Sequence, residues 1–440
     1  MEIRVKNFGK IKEANITLDD YTIFVGDNNS GKTYLMQLMY GLFLEFQHVE
    51  GVPNTLFKTL PFKIDSTNIA QVVGEINKWL NKEKKRIVKK IFNGSVKVES
   101  IEINVGSEEI NGYCAEVALL NEIDNDIINR EEYNDSKGPF FCLIKDQNKI
   151  ILDDNFSLRR HKAMAWDFLV SRVMEDLLST GIGSDSLYLP ASRSGLNLVY
   201  KEIFANQISN RFSEMDKNNK KSPEKLGVTK PVFDYMLFLH KYRADAEMSS
   251  VNKGIIDFIN RKVLKGRISH IDNNVRYTTD SGVNLPLYLS SSMVNELSPI
   301  VKLLTSVNDI CNIFYDEIET SQHPTTQIQL ARLLNRLVNL GYRIIVSTHS
   351  DTMAAAINNM IALPNLKKEE RNLKLKKYEK NDSLNAEKKI RAYQFISQNG
   401  RSVVKEVPRY KEIGLGFDFT LFDKSNEILV DDYNAIHGEG

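Results

Sequence analysis

The chain has 440 residues, 42% hydrophobic and 26% charged, which is ordinary globular composition with length for one large domain or several smaller ones. Lys and Arg total 58 against 57 for Asp and Glu, so a net charge of +1 excludes a global field that would draw the whole molecule to nucleic acid or an anionic membrane. No run approaches the roughly 18 apolar residues of a membrane span, and Cys114, Cys142 and Cys311 lack metal-ligand spacing; a soluble, cytoplasmic protein is expected.

"EIRVKNF" and "ITLDDYTIFV" read as two strands joined by "GKIKEA". The second runs directly into Gly26-Asp27-Asn28-Asn29-Ser30-Gly31-Lys32-Thr33, followed by Leu35, Leu38, Met39, Leu42 and Phe43 at helical spacing. Strand, glycine loop and helix form the setting in which backbone N–H groups at a helix N-terminus can cradle phosphate. Lys32 would reach the β- and γ-phosphates, and the Thr33 hydroxyl would join the shell of Mg²⁺.

Residues 55–92 read as helical, 95–153 as strands, 160–179 as a helix and "SLYLP" as a short strand. Within the first helical stretch, Lys82, Lys84, Lys85, Arg86, Lys89 and Lys90 face one acid, Glu83; the alternatives are a solvated helix face, which is favoured, or a contact to a nucleic-acid backbone. Residues 196–266 read as mostly helical, broken by a polar loop at 215–227, and "RISHIDNNVRYTT" as a hairpin turning at Asn273 and Asn274.

"LPLYLSSSMVNELSPIVKLL" places Ser290, Ser291 and Ser292 at a helix start, where hydroxyls either cap the helix or hold an anion. "NIFYDEIETSQHP" is a buried strand ending in two carboxylates. Asp316 would order the water shell of Mg²⁺, and Glu317 would polarise the water attacking a γ-phosphate; solvated acids at a strand end are the alternative. "RIIVSTHSD" is another buried strand, and His349 just past its end could contact the γ-phosphate and the same water. Residues 364–391 carry mixed charge and read as a surface helix or insertion, and 392–430 return to strand character. The succession of apolar strands and helices predicts an α/β fold.

The order of P-loop, "SSSMVNEL", "IFYDEIE" and "STHS" resembles the ABC-type ATPase heads of the SMC and DNA-repair kind. It resembles more closely the single-chain bacterial ATPases of the overcoming-lysogenization-defect and Septu-type anti-phage group. The resemblance implies a P-loop NTPase; with the antiparallel β lobe and helical insertion read from the residue pattern, the chain divides at 1–195, 196–266, 267–363 and 364–440. The resemblance also implies ATP and Mg²⁺ as ligands, and a homodimer or higher homo-oligomer with ATP sandwiched between subunits. Gly26 to Thr33, Asp316, Glu317 and His349 would act in cis, and Ser291 and Ser292 in trans. A separate nuclease or toxin would be the effector.

Met293 stands where that signature usually has glycine, and "LYLPASRSGL" also resembles a recurrent segment of these heads. Within it, Arg193 is left between a nucleotide sensor and a surface salt bridge. The rival readings are a repair or chromosome-associated ATPase acting directly on DNA, and a nucleotide-binding scaffold that hydrolyses slowly.

Overall fold

The computed structural model describes residues 1–59, 61–106, 109–111, 113–119, 141–144, 149–152, 158–180, 182–215, 227–242, 250–271, 274–363, 379–410 and 416–437. In chain order, β1 (Glu2–Phe8), β2 (Ile11–Thr17) and β3 (Tyr21–Gly26) lead into α1 (Lys32–Gln47). Then come β4 (Phe62–Asp65), α2 (Ile69–Phe92), β5 (Ser100–Asn104), β6 (Cys114–Leu119), β7 (Phe141–Ile144) and β8 (Lys149–Leu152). α3 (Leu158–Leu178) and β9 (Asp185–Leu189) precede α4 (Arg193–Met215), α5 (Lys230–Lys241) and α6 (Ser250–Phe258). β10 (Gly266–Ile271), β11 (Asn274–Thr279) and β12 (Asn284–Pro286) are followed by α7 (Ser292–Leu304), β13 (Ile310–Tyr315), α8 (Pro324–Asn339), β14 (Arg343–Thr348) and α9 (Asp351–Ala362). β15 (Ile390–Gln398), β16 (Arg401–Glu406) and α10 (Asp423–His437) complete the described elements.

Two compact units result: Met1–Leu18 with Gly41–Ser179, and Asp19–Tyr40 with Thr180–Gly440. In the first, β1 pairs antiparallel with both β2 and β5. β1 and β2 form a tight hairpin, so the segment read as a connector is itself a strand. Gly9 takes a positive φ at the turn, and the polar Lys12 and Glu13 lie on the outward positions while Ile11, Ala14 and Ile16 are buried. A second sheet runs β4-β6-β8-β7; two of its pairings are antiparallel and the third, β6 with β8, is parallel. α2 buries Ile69, Val72, Ile76, Leu80, Ile87 and Ile91 on one stripe. On its basic face Arg86 meets Glu83 and Glu45, and Lys90 meets Glu45, which supports the solvated-face reading.

The second unit is built on the strand succession β16-β15-β3-β14-β13-β9. β15, β3, β14, β13 and β9 run parallel, and β16 joins antiparallel to β15. β3 is buried at every residue, and β13 and β14 at all but their first, as expected of parallel strands covered on both faces. Helices α7, α8 and α9 pack onto them through Leu297, Ile300, Leu330, Leu334, Ala354 and Ile357. The mixed-charge segment is described only from residue 379, where Asp382 is buried against Arg336. The predicted loop at 215–227 and the Asn273 turn lie largely outside the described residues, although β10 and β11 pair antiparallel on either side. Residues 423–437 are helical rather than extended, with Asp423 in the first turn where it complements the helix dipole. Among the described residues, no helix is long and apolar enough to cross a membrane.

Candidate active site

Three neighbouring parallel strands explain why distant residues meet. β14 lies between β3 and β13, with Val25 opposite Thr348 and Tyr315 opposite Val346. The P-loop, the acidic pair and His349 therefore all leave the sheet at the carboxyl end, where open α/β sheets bind ligands. The middle strand delivers His349 between the products of its two neighbours.

After β3 the chain turns with Gly26 at φ 144° and Gly31 at φ 100°, and Asn29 takes a left-handed φ of 58° that asparagine tolerates. A Cβ on Gly26 would lie 2.6 Å from the Phe395 carbonyl oxygen, so only glycine fits there. Asp27, Asn28 and Asn29 are exposed, Ser30 is buried, and Gly31 and Thr33 are half-buried. No acidic residue occupies the first turn of α1, which leaves its N-terminus open to an anion.

Lys32 is 4% exposed, and its Nζ donates to the carbonyls of Gly26 (2.8 Å) and Asp27 (2.9 Å). Burial lowers its pKa to about 8 against the opposing pull of Asp316, Glu317, Glu319 and Asp27. A buried ammonium bonded to neutral carbonyls, beside a Gly26 that admits no Cβ, suits a phosphate chain.

Asp316, 1% exposed, accepts hydrogen bonds from Ser347 Oγ (2.6 Å) and from the Tyr188 hydroxyl (2.9 Å), which itself accepts from Gln37 Nε2 on α1 (3.2 Å). Mg²⁺ is held by few protein oxygens and keeps several waters, a demand that a single buried carboxylate such as Asp316 can meet.

Glu317 adopts φ 45°, and its N–H donates to Ser347 Oγ at 2.8 Å. Its Oε1 lies 3.4 Å from His349 Nε2, and His349 Nδ1 lies 3.3 Å from Lys32 Nζ. The histidine contact, assisted by the charges of His349 and Lys32, holds the Glu317 carboxyl below the usual range. The His349 backbone N–H donates to Glu319, which fixes the loop that carries the ring.

Ser291 and Ser292 behave differently. Ser291 is the N-cap of α7, its Oγ accepting from Val294 N at 3.5 Å, and Asn295 Nδ2 donates to the carbonyls of Leu287 and Ser291 to brace the loop. Among the described contacts, no hydrogen bond joins either serine to the P-loop, Asp316, Glu317 or His349.

Arg193 is not a surface residue. It is fully buried behind the acidic turn and paired with Glu296 of α7. Sequence reasoning passed over Tyr188 and gave Ser347, Glu319 and Glu296 no role, because each acts through a partner far along the chain.

A family model described as AAA ATPase domain matches residues 1–354. No curated protein matches the chain in sequence. Among solved structures, it is similar to the SMC head domain from Thermotoga maritima, with 11% identity and a TM-score of 0.34 over 93% of this chain and 98% of that one. It is also similar to an SMC head bound to the C-terminal winged-helix domain of ScpA, with 11% identity and a TM-score of 0.38 over 94% and 99%. A third is an Smc head with an extended coiled coil bound to the C-terminal domain of ScpA, derived from Pyrococcus furiosus, with 10% identity and a TM-score of 0.35 over 98% of both chains.

Proposed function

The chain belongs to the AAA ATPase domain family, and from that premise we propose that it is a Mg²⁺-dependent ATPase of the ABC type, working as a dimeric switch. The observation that carries this reading is the run Lys32–His349–Glu317 across three adjacent strand ends, with Asp316 beside it. Bound Mg²⁺-ATP would supply the transferable phosphoryl group and the cation that offsets its charge. The loop N–H groups from Asp27 to Thr33, with Lys32, would hold the phosphates, and Thr33 and Asp316 the cation.

Glu317, kept ionised, is the base that takes a proton from the attacking water. His349 fixes the Glu317 carboxylate and turns its other nitrogen to Lys32, which sets the spacing of base and cation. Lys32, whose ammonium is disfavoured by burial even with four carboxylates acting on it, would gain from a polyanion placed against it.

Among the described contacts Ser291 serves as its own helix cap, and the resemblance of the motif order is what supports a second subunit presenting Ser291 and Ser292 across the nucleotide. ATP would close such a homodimer and hydrolysis would open it. The setting we favour is bacterial anti-phage defence with a separate nuclease or toxin effector, a reading supported by the order of the motifs. A slowly hydrolysing scaffold is the second reading, favoured by Met293 in the signature and by the engagement of Ser291 Oγ in its own helix cap.

The test is to measure ATP binding and turnover separately in the wild type and in Glu317→Gln. Retained binding with turnover reduced by about a hundredfold or more is the expected result. Equal turnover in the two proteins would refute the assignment.

A further inference from the structure

The left-handed turn at Glu317 is held from both sides. Its N–H is bound by Ser347 Oγ at 2.8 Å, while the carbonyls of Asp316 and Glu317 accept from the two terminal nitrogens of Arg193 at 2.5 and 3.1 Å. The guanidinium also donates to the Pro190 carbonyl (2.7 Å) and lies 4.6 Å from the centre of the Tyr315 ring. Its Nε is 2.7 Å from Glu296 Oε2 in an ion pair between two fully buried side chains. Glu296 Oε1 accepts the backbone N–H of Ser194, so one carboxylate ties the start of α4 to α7. Asn197 reinforces the joint, donating to the Asn295 carbonyl at 2.6 Å.

A residue with a side chain keeps positive φ only where its surroundings over-determine it. Arg193 is the group that does so here, since its planar fork reaches two successive carbonyls while its third nitrogen meets Glu296. Glu296 lies one turn into the helix that Ser291 caps.

We infer that Arg193 is a positioning residue for Glu317, and that with Glu296 it makes the signature end of α7 and the catalytic turn one mechanical piece. A displacement of α7 when its serines meet nucleotide would thus reach the Glu317 carboxylate. In a two-site dimer, the signature presented to one nucleotide would set the base at the other. The inference rests on Glu317 acting as the base.

The experiment compares Arg193→Lys, Glu317→Gln and the two combined. Lysine keeps the charge beside Glu296 but cannot fork onto both carbonyls. A second variant, Arg193→Met with Glu296→Leu, removes both buried charges together at similar volume, which proteins often tolerate. Folding is checked by thermal melting, nucleotide Kd by a fluorescent ATP analogue, and kcat by phosphate release.

Expected is a kcat about tenfold lower or more in Arg193→Lys and in the paired variant, with Kd within about twofold of wild type. Adding Arg193→Lys to Glu317→Gln should cost nothing further, because the carboxylate it positions is gone. Unchanged kcat in Arg193→Lys, or an undiminished extra loss in the Glu317→Gln background, would overturn the inference. If Glu317→Gln alone leaves kcat unchanged, the base assignment falls and this inference with it.

Discussion

Nδ1 of His349 lies 3.3 Å from Nζ of Lys32. Nε2 of the same ring faces Glu317 Oε1 at 3.4 Å, so the imidazole bridges the P-loop cation and the acidic turn. His349→Ala should lower kcat by about tenfold to a hundredfold while nucleotide Kd changes little. Steady-state kinetics beside equilibrium binding check the split; a loss confined to Kd would give the ring a binding role instead.

Lys32→Ala removes the cation that the phosphates would meet, and nucleotide Kd should rise by about a hundredfold or more. Gly26→Ala should do related damage by another route, since its Cβ would meet the Phe395 carbonyl at 2.6 Å in a backbone conformation that disfavours L side chains. Its melting temperature should fall by several degrees, corresponding to about 1–3 kcal/mol. Calorimetry on both variants separates lost charge from lost loop geometry.

Ser347 donates to Asp316 and accepts from the Glu317 N–H. Ser347→Ala leaves the carboxylate with one fewer donor and the strained turn with one fewer restraint. The Mg²⁺ concentration for half-maximal turnover should rise severalfold and kcat should fall, both read from a Mg²⁺ titration of ATPase activity.

Lys302 on α7 is 2% exposed, with the rings of Tyr200 and Tyr242 each 5.7 Å from its Nζ and Lys201 the nearby like charge. Burial lowers its pKa from 10.5 to about 8. Between these values the folded state releases a proton that the unfolded state keeps, so stability from this group rises with pH across that window and is penalised below it. Lys302→Met should therefore be more stable than wild type at pH 7, by about 1–3 kcal/mol, with the advantage shrinking by pH 10. Denaturant melts at both pH values give the comparison; a difference independent of pH would contradict the account.

The P-loop, the acidic pair and His349 were legible because each follows a short, mostly apolar strand, "YTIFV", "NIFY" and "RIIV", and buried parallel strands leave that mark in sequence. Their meeting was not legible, since it depends on β14 lying between β3 and β13. Tyr188 was illegible, and the contacts of Arg193 and Glu319 were too, for a related reason: they bind a carboxylate, carbonyls and an amide far along the chain, so no local spacing marks those partners. β2 was misread because Lys12 and Glu13 face outward and broke the apolar pattern. The C-terminal helix was misread because the β-branched Ile428 and Val430 flank Leu429 in an apolar run, yet all three are exposed on a helix.

The central claim is an ATP-dependent dimer whose composite site needs the signature of a second chain. The most direct measurement is the native mass of Glu317→Gln, purified from its own host, with and without Mg²⁺-ATP. The account predicts twice the chain mass, alone or with a stoichiometric second protein, only when Mg²⁺-ATP is present, and loss of the dimer on adding Ser292→Arg. A single chain under both conditions, despite bound nucleotide, would contradict it.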